Sequence, residues 1–510
     1  MTSEDRIRDL TNCTKEKCLE WVKNIEGETF FVDPLDYKEI SAHYGASHAA
    51  VAFLILGIKS GDYNLAVTGI NLLNSVLNRW NTNSKLPDFH NDFNNFALCV
   101  AYGYISDKYK DLAVRIKETV LNTTDSSHDT VNWIPMRWFV NKCRYEWTKK
   151  EKYQSACFAC AEKIKTATYE DGFIDDRLPK GISFNLQYDV ATVAVLQYLR
   201  IHGEKLDISK EVGALLNAVS PDGDINYLGR GMNQIFAWGL WLYLLASADL
   251  ENDLQKALAY CADKIPVMLE NNNLMLNNWN GREKYLWWDY HYCSVYTAHL
   301  LFWLVLALED AGKKSVAPVL SEVHDSGVEI LRKDGWFVAS FAGRTEYLAE
   351  RGPVIAAIGR ENGRMFVKGT FGPWQGAFGN KFGFNDAVIK NFCGLLKVTT
   401  ERDWSSNRII RKLMSVRVKD AFLQYHPSYP VFQINTSKET LTILYKASGD
   451  VSIGNLVFQD QPKGIDLIVD GNEQIIVNTG FFRNQYTWVN LYQSRLNVGN
   501  EWEIVMTSED

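Results

Sequence analysis

Residues 287–310 read WWDYHYCSVYTAHLLFWLVLALED. The first half of this stretch combines two tryptophans, three tyrosines and two histidines, which can stack on a ligand or move protons. The second half is apolar, and its spacing predicts a buried helix over residues 292–310. We therefore expect a helix whose beginning either contributes to a site or packs as an aromatic core.

Composition restricts the class of protein. The chain has 510 residues, 46% of them hydrophobic and 23% charged, which is typical of a globular protein long enough for two domains. A net charge of −7 argues against nucleic acid as a partner. No uncharged apolar run reaches the length of a membrane span, and residues 1–17 lack the apolar segment of a signal peptide. We therefore expect a cytoplasmic protein without a membrane partner. The oligomeric state stays open.

Apolar residues recur with helical spacing up to about residue 312. The clearest segments are residues 41–60, 63–80, 93–105, 131–147, 153–167, 186–201, 234–248, 253–269 and 292–310, with weaker ones at 15–25, 112–121 and 208–219. About twelve helices with short connections pair as antiparallel hairpins, and six hairpins in series favour a closed α/α toroid. Its polar and aromatic loops are expected to line a cleft.

The pattern changes to an alternation of apolar and polar residues after residue 326. Segments such as GWFVASFAG and TLTILYKA, separated by Asp-Gly and Asn-Gly turns, are typical of antiparallel strands. The sequence thus predicts a multidomain α + β protein: an N-terminal toroid over residues 1–325 and an antiparallel β-sandwich over residues 326–510. The nine cysteines are scattered and lack zinc-site spacing, so we expect neither a disulfide framework nor a metal or other cofactor.

Two motifs carry a resemblance to known enzymes. Asn185 opens the segment NLQYDV after a glycine-rich loop, and PDG at residues 221–223 precedes a helix start with Arg230. Together with the domain order, these motifs resemble the polysaccharide lyases of the heparinase II/III-like and alginate-lyase type. Leu186 stands where that family has a histidine after the asparagine, and no tyrosine opens the helix after the PDG motif. The resemblance implies β-elimination on an anionic, uronate-containing poly- or oligosaccharide.

That reaction removes a proton next to a carboxylate, so it needs donors that offset the carboxylate charge, a base, and an acid for the leaving oxygen. Asn185 and Arg230 are the predicted neutralising groups, with Gln187 as an additional candidate. Tyr292 is the predicted base and acid, and His291 beside it donates to the carboxylate or acts as a base. The reserve candidates for the base are Tyr188 and Tyr290.

Further residues are predicted to bind the substrate, although each also has a structural interpretation. These are Gln234, Asn233, His90, Asn91, Trp133, Arg137, Tyr290, Trp288, Arg344 and Trp374. Asn91 could cap a helix, Trp133 could pack in the core, and Arg344 and Trp374 could lie on solvated hairpins. His299 is expected to be a core histidine.

Three alternatives remain open at this stage. A glycoside hydrolase on the same scaffold needs two carboxylates across the cleft, which the sequence could supply from Asp171, Asp175, Asp176, Asp222, Asp224 and Asp289. A uronate epimerase would use nearly the same groups as a lyase. A protein that binds carbohydrate without catalysis is the third alternative.

Overall fold

The computed structural model describes residues 1–34, 37–39, 43–82, 88–105, 107–181, 184–229, 234–270, 293–341, 354–373, 431–446, 456–458, 464, 466–469, 472–474, 476–484, 487–494 and 501–507. Within these ranges it contains twelve α-helices followed by antiparallel strands, as predicted. The helices are α1 Ser3–Glu20, α2 Gly45–Ser60, α3 Tyr63–Thr82, α4 Asn91–Ile105, α5 Lys110–Asn122, α6 Ile134–Thr148, α7 Glu151–Ala167, α8 Leu186–Ile201, α9 Ser209–Ala218, α10 Ile235–Ser247, α11 Glu251–Glu270 and α12 Cys293–Asp310.

The even-numbered helices contact one another in a closed sequence. Helix α2 packs on α4, α4 on α6, α6 on α8, α8 on α10 and α10 on α12, and α12 in turn packs on α2. The odd-numbered helices lie outside, for example α3 against α2, α7 against α6 and α11 against α10. Every residue of α10 is buried, whereas α11 buries only one face, as expected for an inner and an outer helix.

The inner helices run parallel, so their beginnings meet at one end of the ring. Phe236 at the start of α10 lies 5.6 Å, between ring centroids, from Tyr296 in α12. A Cβ on Gly45, the first residue of α2, would lie only 3.0 Å from the Cα of Val295. At the opposite end, Tyr243 of α10 donates to Asp310 over 3.0 Å. We call the first turns of the six inner helices, with the residues just before them, the N-terminal rim.

Helix α12 is long and apolar enough to cross a membrane, but 89% of its apolar window is buried inside the protein.

One predicted helix boundary was wrong. The weak helical segment at residues 15–25 ends at Glu20, and Val22–Ile25 instead forms strand β1, which pairs with β2 Glu28–Phe31. Glu26 and Gly27 between them both have positive φ, which a tight hairpin turn requires.

The remaining strands form two antiparallel sheets in the described ranges. The strands are β3 Val328–Lys333, β4 Trp336–Phe341, β5 Val354–Arg360, β6 Met365–Pro373, β7 Val431–Thr436, β8 Thr440–Lys446, β9 Leu456–Phe458, β10 Asp466–Val469, β11 Asn472–Gln474, β12 Ile476–Asn484, β13 Thr487–Ser494 and β14 Glu501–Thr507. Their orders are β11-β10-β14-β8-β7 and β12-β13-β9-β6-β5-β4-β3. The face-to-face sandwich and the domain boundary at residue 325 stay predictions.

Two Asp-Gly loops of the helical part form side-chain contacts with the β-strands, one just before β3 and one within β6. Asp171 accepts hydrogen bonds from the backbone N–H and hydroxyl of Ser326, just before β3, over 3.0 and 2.5 Å. In β6, the Lys368 ammonium lies 2.6 Å from Asp222 and 2.9 Å from Asp224. Asp224 is 1% exposed, so this is a buried ion pair that ties a strand to the rim loops of the ring.

Candidate functional site

An aromatic and histidine cluster occupies the N-terminal rim. The ring of Tyr44, the residue before α2, is stacked on Phe93 of α4 with centroids 4.3 Å apart. His90 lies 5.4 Å from the same tyrosine ring, His48 lies 5.0 Å from it, and His299 of α12 lies 5.3 Å from it. Elements far apart in the sequence therefore converge on Tyr44.

Two histidines of this cluster are held in the same tautomer, with the proton on Nδ1, but they leave different nitrogens unpartnered among the described residues. Nδ1 of His48 lies 2.8 Å from the Tyr44 carbonyl oxygen, which only accepts, so the proton is on Nδ1 and Nε2 is an acceptor. Nε2 of His299 accepts from the Trp303 indole N–H over 3.1 Å, so the proton is on Nδ1. His48 Nε2 and His299 Nδ1 are both buried, and neither has a hydrogen-bond partner in the described part of the chain.

Burial keeps these imidazoles neutral. It lowers the pKa of His48 to about 3, although the bond to the Tyr44 carbonyl acts in the opposite direction. It also lowers the pKa of His299 well below its ordinary value, and His48 adds to this effect. The pKa of Tyr44 is raised, first by burial and then by the nearby Tyr188. Tyr44 is thus a protonated phenol at neutral pH.

A second group of polar side chains lies where α8 and α10 begin. Asn185 caps α8 by accepting from the Gln187 backbone N–H over 3.2 Å, and its Nδ2 has no partner among the described residues. In Gln187 and in Gln234, the residue before α10, the side-chain Oε1 and Nε2 are buried and have no hydrogen-bond partner among the described residues. We call Asn185, Gln187 and Gln234 the amide group.

The backbone at Gly229 is shaped around two of these amides. Gly229 has φ +125°, and a Cβ there would lie 2.3 Å from Oδ1 of Asn185 and 2.5 Å from Oε1 of Gln187. The N–H of Leu186 donates to the Leu228 carbonyl over 3.1 Å, which fixes this loop against the start of α8. Only glycine fits this close approach.

The arrangement favours negatively charged ligands with polar and apolar faces. The beginning of each inner helix carries the positive end of a helix dipole, equivalent to roughly half an elementary charge. An unpaired buried amide costs about 1–3 kcal/mol, so a group of them is typical of a binding site and not of a core. Among the described residues, no group of three His, Cys, Asp or Glu could hold a metal ion.

Several predicted site residues lie at this rim. They are Asn185, Tyr188, Gln234, His90 and Trp133, of which Trp133 is 8% exposed and contacts His90 at 5.9 Å between centroids. Asn91 begins α4, and its Nδ2 donates to the Thr124 carbonyl over 2.9 Å. Other predicted residues lie outside the described ranges: Tyr292, His291, Arg230, Asn233, Tyr290, Trp288, Arg344 and Trp374.

Arg137 is a correction. Its guanidinium donates to Asp92 from Nε over 3.2 Å and from Nη2 over 2.9 Å, and to Asp129 over 2.9 Å. It also donates to the carbonyls of Ser126 and His128. A guanidinium held by these partners closes the loop between α5 and α6 and is not available to clamp a substrate carboxylate.

Four of the aspartates considered for a hydrolase are occupied in the same way. Asp171 is bound by Ser326, and Asp175 accepts from the Tyr169 hydroxyl over 2.9 Å and from the Gly181 N–H over 2.6 Å. Asp222 and Asp224 pair with Lys368. Asp176 is buried, and Asp289 lies outside the described residues. The four paired carboxylates therefore stabilise loops.

Tyr44 and His48 are not among the residues predicted from the sequence, and His299 was predicted to be a core histidine. His299 is buried, but it shares the rim cluster with Tyr44. A signal was present in the segment HYGASH at residues 43–48. It places two histidines and a tyrosine at the start of an apolar helix, much as residues 291–299 do ahead of and within α12.

No family model and no curated protein matches the chain. Solved structures resemble it at low similarity. The alpha-1,6-mannanase from Salegentibacter sp. HEL1_6 is 12% identical, with 59% of this chain and 99% of that chain covered and a TM-score of 0.40. A structure described as a polysaccharide lyase is 11% identical, with 59% and 96% covered and a TM-score of 0.40. An unsaturated glucuronyl hydrolase mutant from Streptococcus agalactiae is 12% identical, with 60% and 90% covered and a TM-score of 0.39.

Proposed function

We propose that the protein is a lyase that cleaves a uronate-containing glycan by β-elimination. The observation that carries this proposal is the amide group, which places neutral hydrogen-bond donors without partners among the described residues at the positive ends of α8 and α10. A carboxylate accepts hydrogen bonds and carries negative charge, so it matches both features. The stacked rings of Tyr44 and Phe93 offer an apolar face for the sugar.

The amide group offsets the charge of the uronate carboxylate and thereby makes the neighbouring C5–H more acidic. A base takes that proton, the C4–C5 double bond forms, and the electron pair of the C4–O4 bond leaves with the glycosidic oxygen. This oxygen needs a proton, which Tyr44 can donate because burial keeps its phenol protonated. Tyr292, which directly precedes α12, stays our proposed base, with Tyr188 as the candidate within the described rim.

A hydrolase would need two carboxylates free to act across the cleft. The described carboxylates Asp171, Asp175, Asp222 and Asp224 are bound by structural partners, which is why we place elimination before hydrolysis.

The test compares two products on a panel of mannuronate, galacturonate and glucuronate oligosaccharides. Elimination produces one unsaturated, ultraviolet-absorbing end for each new reducing end. We expect Tyr44→Phe to abolish both signals. Tyr104→Phe should retain them, because it removes the same hydroxyl at the opposite end of the ring, where Tyr104 donates to Glu309 over 3.1 Å.

Each other outcome identifies an alternative. Reducing ends without ultraviolet absorbance would establish a hydrolase, and inversion at C5 without cleavage would establish an epimerase. Glycan binding without turnover would leave a carbohydrate-binding protein. Full activity of Tyr44→Phe would remove Tyr44 from the mechanism.

A further inference from the structure

The proposed elimination does not use the two neutral imidazoles at the rim. The ring centroids of His48 and His299 are 4.9 Å apart. Within the described ranges, His48 Nε2 is an acceptor without a partner and His299 Nδ1 is a donor without a partner. The two rings come from α2 and α12, which are neighbours in the inner ring. Two hydrogen bonds of about 2.8 Å to one shared oxygen can span such a separation.

The surroundings of the pair are aromatic. Phe302 lies 4.6 Å from His48 between ring centroids, Phe236 lies 6.0 Å from His299, and Tyr44 contacts both histidines. Aromatic rings suit the C–H face of a sugar, while the two nitrogens determine which polar substituent can bind.

The tautomers decide the chemistry of that substituent. A carboxylate only accepts hydrogen bonds, so it would meet the lone pair of His48 Nε2 unfavourably, and an ammonium only donates, so it would meet His299 Nδ1–H unfavourably. A hydroxyl both donates and accepts. It can donate to His48 and accept from His299 at the same time.

We propose that His48 and His299 bind one hydroxyl group of the glycan and so determine specificity for it. The inference rests on the proposed glycan substrate but not on the elimination step. Trp303 is then a positioning residue, because its indole N–H holds His299 in the tautomer that donates from Nδ1. The carbonyl of Tyr44 holds His48 in the same Nδ1–H tautomer, which leaves Nε2 of His48 as the acceptor.

The chain offers a matched control for Trp303. Trp241 of α10 is also an inner-helix indole and is 1% exposed, compared with 0% for Trp303. Its Nε1 has no hydrogen-bond partner in the described part of the chain. Trp303→Phe and Trp241→Phe therefore both shrink a buried indole, but only the first removes a hydrogen bond to a histidine.

The experiment uses the full chain labelled with ¹⁵N-histidine. In the free protein we expect His48 and His299 both to be neutral and in the Nδ1–H tautomer, and Trp303→Phe to mix the tautomers of His299 while Trp241→Phe leaves them unchanged. The probes are mannuronate, galacturonate and glucuronate trisaccharides and their neutral, carboxyl-reduced counterparts. Both forms of the bound glycan should shift the ¹⁵N signals of the two histidines.

Binding affinity supplies the second readout. Trp303→Phe should weaken both the charged and the neutral trisaccharide about tenfold, the loss expected for one hydrogen bond, relative to Trp241→Phe. His299→Asn, which can retain a donor near the position of Nδ1, should stay close to the wild-type affinity, and His299→Leu should lose about tenfold. This second comparison serves if Trp303→Phe does not fold.

Equal affinities of the two tryptophan variants, or ¹⁵N signals that do not respond to a bound trisaccharide, would overturn the proposal. So would the absence of binding by every trisaccharide. Histidine shifts with the neutral trisaccharide, combined with no elimination of any uronate glycan, would refute the lyase and retain the hydroxyl site.

Discussion

Replacing Gln187 by methionine should stabilise the protein while it impairs binding. Gln187 is fully buried, and both its amide oxygen and its amide nitrogen lack partners in the described part of the chain. Methionine has a similar shape and no strong hydrogen-bonding group. The variant therefore removes a desolvation penalty, and we expect the free energy of unfolding to rise by about 1–3 kcal/mol.

Gln197 is the matched control because it lies on the same helix and is also fully buried. Its Nε2 donates to the Lys314 carbonyl over 2.8 Å, and its Oε1 accepts from Arg200 over 2.6 Å. Gln197→Met breaks both bonds, so it should lower the free energy of unfolding by about 1–3 kcal/mol. The same Gln→Met substitution at two positions of α8 is thus expected to change the free energy of unfolding in opposite directions.

Urea unfolding of both variants, with unchanged denaturant dependence, measures these differences. Trisaccharide binding supplies the functional readout: Gln187→Met should weaken a uronate trisaccharide and leave its carboxyl-reduced counterpart unchanged, because the amide serves the carboxylate. If Gln187→Met loses as much stability as Gln197→Met, the Gln187 amide is paired in the free protein, and the reasoning behind the amide group is wrong.

Gly229→Ala should displace the neighbouring amides and reduce uronate binding, measured by calorimetry, whereas Gly203→Ala, also at positive φ but with open space, should leave binding unchanged. Lys368→Met should lower the free energy of unfolding by about 3–5 kcal/mol, because it leaves the buried Asp224 carboxylate without its cation. Burial raises the pKa of Asp224, but Lys368 and the hydrogen-bond donors outweigh burial and hold this pKa below its ordinary value. The stabilisation that the Asp224 carboxylate contributes is therefore present above the unfolded-state pKa of about 3.9, and it is lost as the pH falls through the lower folded-state pKa. In urea unfolding, the difference in stability between Lys368→Met and wild type should therefore shrink in acid. Arg137→Met should lower thermal stability and leave the trisaccharide affinity of the folded protein intact; a selective loss of affinity would restore its predicted role as a clamp.

Local patterns were sufficient to predict the secondary structure of much of the chain. The spacing of apolar residues predicted a helix over residues 186–201, and α8 spans Leu186–Ile201. The alternation of apolar and polar residues, together with the Asn-Gly turn, likewise predicted the hairpin that β5 and β6 form. These features depend on neighbours a few residues apart, which the sequence displays directly.

The sequence did not reveal which distant residues would meet. His48 and His299 are separated by most of the helical part, and only closure of the ring, with its inner helices parallel, brings them together at Tyr44. The predicted role of Arg137 failed for the same reason. Its partners Asp92 and Asp129 become neighbours only after α4 and α6 have packed.

A segment that occurs twice in the chain shows that one local sequence can adopt two different structures. Residues 1–5 and 506–510 have the identical sequence MTSED. At the first position, Thr2 and Asp5 form a reciprocal capping box that starts α1. At the second, Met506 and Thr507 complete strand β14 and pair with Leu441 and Thr440 of β8. The sequence by itself determined which segments can be helix or strand, because propensity and periodicity are local. The tertiary structure decided which of these options is used and which side chains converge at the rim, because long-range contacts supply the remaining free energy.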